Sequence, residues 1–199
     1  MAYSDATFAK LRTEYKILQD YQDFKFNTLV SIPPSTRLAE DIADGTQMTI
    51  TSEKAKSEFL LAPIVKELQR KNPQITLFSG INFSIEGEKL LNGTPDFMIS
   101  ARPRRADIEA PIFCMVEAKN GIIEDGFAQC AAEMYAARLF NKQMNEPYET
   151  IYGVVTNAFD WVFLRLEAEY IWIDTQRYFL NDLPKILGIF QFIIDQYKK

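Results

Sequence analysis

Histidine is absent from this chain of 199 residues, and cysteine occurs only twice. Without histidine, Ser-His-Asp and Cys-His catalysis, histidine-ligated zinc and imidazole general bases are all excluded. Cys114 and Cys130 are too few for a disulfide scaffold or a four-cysteine metal site, and their apolar neighbours predict buried, reduced thiols. Any chemistry must therefore use carboxylates, lysine and a metal ion.

A surplus of basic residues and long apolar runs are also missing. Lys and Arg number 22 against 27 Asp and Glu, a formal net charge of -5, so contacts with nucleic acid would have to be local. No apolar run approaches the ~20 residues that cross a bilayer, and the first residues lack the basic head and apolar core of a signal peptide. Because 47% of the residues are hydrophobic, we expect one soluble, cytoplasmic domain over residues 1–199, with no membrane partner.

Hydrophobic spacing and helix-breaking residues outline the helices. Apolar residues between Phe8 and Tyr21 recur every three or four positions, which predicts an amphipathic helix of about four turns. The prolines that follow predict a connector as far as Gln47. A stronger helix is predicted over 53–71, with a kink at Pro63. Two further helices are predicted over 124–142 and 183–197.

Short β-like runs fill the intervals between the helices and are separated by Gly, Pro and charged turns. The run at 112–118 is apolar on both faces, as is expected of a central strand. The order of elements predicts an α/β fold of the α+β kind, with a mixed sheet flanked by helices. The predicted strands are 75–78, 81–85, 96–100, 112–118, 151–156, 161–166 and 170–173.

Three ionisable residues interrupt two of these predicted strands. Asp96 opens one strand, and Glu117 and Lys119 close the next. Because side chains alternate with period two, Glu117 and Lys119 project to the same face, and pairing with the Asp96 strand can bring both carboxylates together. Two carboxylates that lie close together in a partly buried place are unstable unless they are protonated or bridged by a cation.

Mg²⁺ is the cation that we expect to bridge them, with Mn²⁺ able to replace it. Mg²⁺ prefers oxygen ligands and needs only one or two carboxylates, together with water and substrate phosphate oxygens. The ion would activate a water molecule as nucleophile and would screen charge that develops on a scissile phosphate. Lys119 would stabilise that charge or orient the attacking water.

Two short motifs contain these residues: Gly93-Thr-Pro-Asp96 and, about twenty residues later, Glu117-Ala-Lys119. Together they resemble the PD-(D/E)xK nuclease superfamily, whose members have the restriction-endonuclease-like fold. The resemblance covers about 53–166 and implies an αβββαβ core. An N-terminal helix and connector over 1–52, and a C-terminal strand and helix over 167–199, are then additions to that core.

The resemblance implies a function as well as a fold. An Mg²⁺-dependent endodeoxyribonuclease would hydrolyse DNA phosphodiester bonds with a metal-activated water. The metal would be held by Asp96, Glu117 and the backbone carbonyl of Ala118, and Lys119 would be catalytic. Cutting both strands of a duplex commonly needs two active sites, which a homodimer would supply. Action with a separate partner protein is an alternative.

Two more residues match positions of that superfamily. Glu58 matches the acid that members carry on the helix before the first strand, so it is a further candidate for catalysis and metal binding. Gln129 matches the polar residue on the helix after the ExK strand. In the nuclease domains of repair helicases and type I restriction motor subunits, a Tyr often follows that Gln after four residues. Here Tyr135 follows after six, so no subgroup is assigned.

Each of these residues also has an ordinary structural interpretation. Asp96, Glu117 and Lys119 could form a solvated salt bridge at the ends of two strands. Glu58 could be a surface acid that pairs with Lys54 on the same helix, a type of pair worth only ~0.2–0.5 kcal/mol. The polar side chain on the later helix could merely cap a backbone group.

Three arginines, Arg102, Arg104 and Arg105, fall at the predicted tip of the hairpin between the two motifs. They either contact the phosphate backbone of a nucleic acid or are simply solvated. The acidic net charge motivates a second class of function, a catalytically inactive nuclease-fold module for binding or assembly. The intact acids and lysine argue against that class, because an abandoned site has no physical reason to keep a costly pair of like charges.

Overall fold

The computed structural model describes residues 2–146 and 148–198, in which an eight-stranded mixed sheet carries helices on both faces. The order across the sheet is β1-β7-β6-β5-β4-β3-β2, and β8 pairs with β6. The helices are α1 (Phe8–Tyr15), α2 (Thr36–Gln47), α3 (Glu53–Lys56), α4 (Ala62–Lys71), α5 (Phe127–Gln143) and α6 (Leu183–Asp195). The strands are β1 (Leu18–Gln22), β2 (Thr76–Ser79), β3 (Phe97–Ser100), β4 (Ile112–Ala118), β5 (Ile151–Thr156), β6 (Asp160–Glu167), β7 (Tyr170–Asp174) and β8 (Tyr178–Phe179).

The middle of the chain has the order helix, three strands, helix, strand. Strands β2, β3 and β4 form an antiparallel meander. Helix α5 then connects β4 to β5, which pair in parallel, as a crossover connection requires. This order confirms the predicted α+β fold and the αβββαβ arrangement.

Two hydrophobic clusters pack on opposite faces of the sheet. One contains apolar residues of α4 and α6, and the other contains apolar residues of α5. Near the end of β4, Val116 and Ala118 face the first cluster, whereas Met115 faces the second. Because strand side chains alternate, Glu117 projects toward α5. Both cysteines are buried and free, as predicted.

The predicted first helix is wrong beyond its second turn. Helix α1 ends at Tyr15, because Lys16 adopts the left-handed conformation, with φ 60°. The residues Leu18–Gln22 instead form β1, which pairs in parallel with β7 at the edge of the sheet. Apolar residues spaced three or four positions apart continue here from a helix into a strand. The periodicity of apolar residues alone does not show where the helix ends and the strand begins.

Two other predictions in the N-terminal half are also wrong. The predicted connector contains α2, whose N-terminus is capped by the Ser35 side chain, which accepts a hydrogen bond from the Leu38 N–H. The predicted strand at 81–85 is a loop. Its Phe83 and Ile85 side chains are buried, but their backbone N–H groups donate to carbonyls within the same loop rather than to a strand.

The predicted helix over 53–71 is present but is not one regular α-helix. A five-residue π-helical turn, Ser57–Leu61, separates α3 from α4. Pro63 follows directly, in the first turn of α4, where a missing N–H costs least. The expected disturbance therefore lies just before the proline. Within the part of the chain that the structure describes, no helix combines the length and apolar character needed to cross a bilayer.

Candidate active site

Asp96 and Glu117 lie on the same face of the sheet, at one end of the β3–β4 pair. Phe97 pairs with Val116, so continuing this antiparallel register by one residue places Asp96 across from Glu117. Met98, two residues beyond Asp96, packs in the cluster on the α5 side. Asp96 is further fixed because its Oδ2 accepts a hydrogen bond of 2.8 Å from the backbone N–H of the residue that follows Glu117.

Lys119 and Gln129 complete a closed group with Glu117. The Lys119 Nζ donates to Glu117 Oε1 at 2.8 Å and to Gln129 Oε1 at 2.9 Å. The Gln129 Nε2 donates to the same Glu117 oxygen at 2.6 Å. The structure thus brings together four of the predicted site residues, Asp96 included, and Gln129 is placed by the first turn of α5.

The start of α5 is shaped to admit the lysine. A Cβ on Gly126 would lie 3.0 Å from both Cγ and Cε of Lys119 and 2.6 Å from Cγ1 of Val155. A side chain larger than hydrogen therefore does not fit between the lysine stem and β5 without displacement. Gly126 allows the aliphatic part of Lys119 to pass close to the backbone before its ammonium reaches Glu117.

Burial and crowding of negative charge change the protonation of the carboxyl groups. Burial, followed by the charge of Asp96, raises the pKa of Glu117 to about 7. Burial also raises the pKa of Asp96, although its hydrogen bond from Ala118 opposes the rise. For Lys119, burial alone would lower the pKa, but the neighbouring carboxylates, Glu117 first, hold it above its ordinary value. The ammonium therefore stays charged beside an acid that titrates near neutrality.

The sequence interpretation missed the buried carboxyl group of Glu133. Its Oε1 accepts a hydrogen bond of 3.2 Å from Gln129 Nε2, and its side chain has no solvent exposure. Burial, followed by the charge of Glu117, raises its pKa well above the ordinary range. An available signal was its place four residues after Gln129 in a helix otherwise rich in Ala, a position on the same helix face.

Glu58 does not join this group. Its side chain is 56% exposed and pairs with Lys54 at 3.8 Å. An acid of the same helical region that does influence the site is Glu53. After the larger effect of burial, its charge contributes to the raised pKa of Asp96, and after burial and Glu117 it contributes to the raised pKa of Lys119. Glu53 begins α3, whereas Glu58 lies within the π-helical turn that follows, and the spacing of residues in the sequence did not distinguish the two glutamates.

The arginines of the hairpin lie at the opposite end of the β3–β4 pair. Four residues of β-strand separate Asp96 from Ser100, about 14 Å along the strand. Arg102 donates to the Ala110 carbonyl at 2.9 Å and forms an ion pair with Glu146. Arg105 pairs with Glu109 at 3.0 Å, and Arg104 is exposed. Two of the three candidate phosphate-binding arginines are therefore already engaged within the protein.

The donor set at the carboxylate end suits a hard divalent cation. Oε2 of Glu117 and Oε2 of Glu133 are buried and accept no hydrogen bond from an N–H or hydroxyl group of the described residues. The two carboxyl groups hydrogen-bond to each other. Burial is the largest effect on both and raises both pKa values, and this bond then lowers the pKa of Glu117 and raises that of Glu133. No group of three or more His, Cys, Asp or Glu side chains in residues 2–146 and 148–198 is arranged as a metal site. An ion bound at this end would have Asp96 and Glu117 as its carboxylate ligands. The Ala118 carbonyl, water and substrate oxygens would be its remaining ligands, and Mg²⁺ commonly binds with one or two carboxylates in this way.

No protein-family model matches the sequence, and no curated protein matches it. Among solved structures, one match is the cryo-electron microscopy structure of a DrdV–DNA complex, with a TM-score of 0.42 and 13% sequence identity. The match covers 80% of this chain but 13% of that chain. At this level of similarity, the functional interpretation depends on the site itself.

Proposed function

We propose that the protein hydrolyses phosphodiester bonds of DNA and that Asp96, Glu117 and Lys119 form its active site. The observation that carries the proposal is the meeting of two carboxylates, an ammonium and an amide at one end of adjacent strands. An ordinary strand-end salt bridge would not need a buried acid and a partly buried acid, both with raised pKa values, on one face. The resemblance of the two motifs to metal-dependent nucleases supplies DNA as the substrate class.

Each residue has a distinct part in this proposal. Asp96 and Glu117, together with the Ala118 carbonyl, would hold the divalent ion, which when bound would supply charge neutralisation and an acidified water. Burial, followed by the charge of Asp96, raises the pKa of Glu117 to about 7, so uptake of the ion below that pH would release a proton from Glu117. Lys119 would place its positive charge against a non-bridging phosphate oxygen as negative charge develops there.

Gln129 keeps that lysine close to the carboxylate. Its amide oxygen accepts from the ammonium, and its amide nitrogen donates to the carboxylate that pairs with the same ammonium. The distance from Lys119 Nζ to Glu117 Oε1 is thereby held at 2.8 Å. A preorganised charge of this kind costs little reorganisation when the substrate reacts.

A cleavage assay with purified protein tests the proposal. Linear, nicked, branched and single-stranded DNA, with matched RNA, would be incubated with EDTA, Mg²⁺ or Mn²⁺. We expect cleavage of at least one DNA substrate in Mg²⁺ or Mn²⁺, none in EDTA, and none in either metal with Asp96→Asn. Cleavage that persists in EDTA or in that variant contradicts the assigned site.

A binding or assembly module without catalysis is the second candidate. The acidic net charge of -5 and the internal ion pairs of Arg102 and Arg105 favour it, because sequence-independent duplex binding draws on free Lys and Arg. Calorimetric titration with Mg²⁺ and Mn²⁺ separates the two candidates. Absence of metal binding, even with DNA present, supports the module and contradicts the nuclease.

A further inference from the structure

A second buried carboxyl group, that of Glu133, lies behind Gln129 on helix α5. The Glu133 side chain is fully buried, and its Oε1 accepts the Gln129 amide at 3.2 Å. A buried carboxyl group is costly unless its hydrogen bonds compensate for lost hydration. An apolar residue would avoid this cost in this Ala-rich part of the helix, so packing alone does not account for a carboxyl group here.

The hydrogen bonds of Gln129 indicate a role for the Glu133 carboxyl group. Its Nε2 has two N–H donors, and both are used, one by Glu117 Oε1 and one by Glu133 Oε1. The amide oxygen must then face the other way, toward Lys119 Nζ. Rotating the amide by half a turn would place its oxygen against two carboxyl groups and its N–H groups against an ammonium. Glu133 therefore adds to the preference for the amide orientation that Lys119 and Glu117 also favour.

We propose that Glu133 is a positioning residue that fixes the Gln129 amide, and through it the carboxylate of Glu117 and the ammonium of Lys119. Glu133 itself would touch neither substrate nor metal. The consequence for catalysis rests on the proposed function, whereas the orientation of the amide is a property of the metal-free protein. The two can therefore be measured separately.

Three variants on α5 test the proposal. Glu133→Gln keeps the oxygen that accepts from Gln129, and Glu133→Met keeps the length of the side chain but removes the acceptor. Asn141→Leu is the matched control, because Asn141 is also a buried polar residue of α5, bonded to the backbone of Ile112 at the far end of β4. Glu133→Ala replaces the methionine variant if the latter does not fold.

The first measurement uses the metal-free protein and does not depend on activity. The side-chain amide signals of Gln129 would be followed by NMR and assigned by their loss in Gln129→Leu. We expect two well-separated proton signals in the wild type and in Glu133→Gln. In Glu133→Met their separation should collapse and their exchange with water should be about tenfold faster or more. Asn141→Leu should lower the melting temperature without changing these signals.

The second measurement follows metal affinity and cleavage. In Glu133→Met we expect kcat or the affinity for Mn²⁺ to fall about 10- to 100-fold, the usual loss when a residue behind a metal ligand is removed. The KM for DNA should change less than about twofold, and Glu133→Gln should recover most of the loss. Unchanged Gln129 signals, unchanged kcat and affinity, or a glutamine variant as impaired as the methionine variant each contradicts the proposal.

One result separates this proposal from the nuclease assignment. If the wild type binds no metal and cleaves no substrate, while Glu133→Met still disturbs the Gln129 signals, the nuclease assignment fails and the positioning of Gln129 stands. If the wild type cleaves DNA and the Gln129 signals are the same in Glu133→Met as in the wild type, the positioning role fails and the nuclease assignment stands.

Discussion

The two ends of the β3–β4 pair differ in how their polar groups are satisfied. At the hairpin end, Ser100 Oγ donates to the Glu109 carbonyl, Thr76 Oγ1 donates to the Arg102 carbonyl, and Arg102 Nε donates to the Ala110 carbonyl. At the other end, one oxygen of Glu117 and one of Glu133 are buried and accept from no N–H or hydroxyl group of the described residues, and the two carboxyl groups hydrogen-bond to each other. The first network is complete by itself, whereas the second would gain from a proton or a cation.

The two ends therefore differ in function: charged groups at the hairpin end are paired within the protein, whereas carboxyl groups at the other end are available to a ligand. Arginine clusters are the usual sequence signal for contact with nucleic acid, but here Arg102 and Arg105 hold the hairpin together. The buried carboxyl groups that would gain a ligand lie at the acidic end instead. The net charge of the chain does not distinguish the two ends, because what matters is the partner of each group rather than its sign.

Removing a charge from the carboxylate end should have the largest effect. Asp96→Asn and Lys119→Met should each lower the single-turnover cleavage rate about 10²- to 10³-fold or more, since the first removes a charged ligand of the divalent ion and the second removes the positive charge beside the reacting phosphate. Both variants should melt within a few degrees of the wild type, because neither empties the core. Ser100→Ala, at the hairpin end, should keep the wild-type rate. A wild-type rate in Asp96→Asn or Lys119→Met would contradict the comparison.

A smaller loss is expected from Gly126→Ala. The new methyl group would meet Val155 Cγ1 at 2.6 Å and Lys119 Cε at 3.0 Å, so the lysine must shift and the rate should fall about tenfold. Gly121→Ala is the control, because its added Cβ meets no atom within 4 Å. Cleavage kinetics and melting curves would be recorded for both variants. Equal rates in the two would show that Lys119 does not need its close path past α5.

The metal-free protein should lose stability as the pH rises from about 4.5 to about 7. Over this interval the folded protein keeps the Glu117 proton, because burial and then the charge of Asp96 raise its pKa to about 7, while the unfolded chain has released it near 4.5. Since the folded state binds more protons, rising pH favours unfolding. Above pH 7 both states are ionised, and this contribution stops changing.

Denaturation by urea between pH 4.5 and 8 measures this effect. Relative to Glu117→Gln, the wild type should lose roughly 1–3 kcal/mol of unfolding free energy across the interval. Saturating Mg²⁺ should restore stability above pH 7, since the ion replaces the lost proton. Parallel curves for the wild type and Glu117→Gln would mean that this carboxyl group is not held in the protonated form.

The smallest effect is expected at the hairpin end. Arg102→Ala removes a partly buried ion pair and one hydrogen bond to the Ala110 carbonyl, which together stabilise the fold by about 1–2 kcal/mol. The melting temperature should fall by a few degrees, while kcat at a temperature where the variant is folded stays unchanged. A fall in kcat with unchanged stability would instead assign Arg102 to the substrate.

The carboxylate end was predictable from sequence because local rules fix it. Period-two alternation put Glu117 and Lys119 on one side of a strand, and that part of the prediction holds. The hairpin between β3 and β4 then determines where Asp96 lies relative to Glu117. Strand 112–118 was also clear from its unbroken apolar character.

The parts that failed depend on tertiary contacts or on single backbone angles. The left-handed Lys16 ends α1, and no pattern of apolar residues encodes such an angle. The assignment of Glu58 to the site stays a prediction, although its exposed side chain pairs with Lys54. Glu133 was overlooked because its importance comes from a hydrogen bond to Gln129, and a single acid in an apolar helix gives only a weak signal.

The central claim is tested most directly by calorimetric titration with Mn²⁺, with and without uncleavable DNA. The titration would compare the wild type with Asp96→Asn, Glu117→Gln and Glu58→Gln. The account predicts one site per chain, weakened at least about tenfold by either Asp96→Asn or Glu117→Gln and unchanged by Glu58→Gln. Affinity that is the same in all four proteins, or no binding by the wild type with DNA present, would contradict the claim that Asp96 and Glu117 hold one divalent ion.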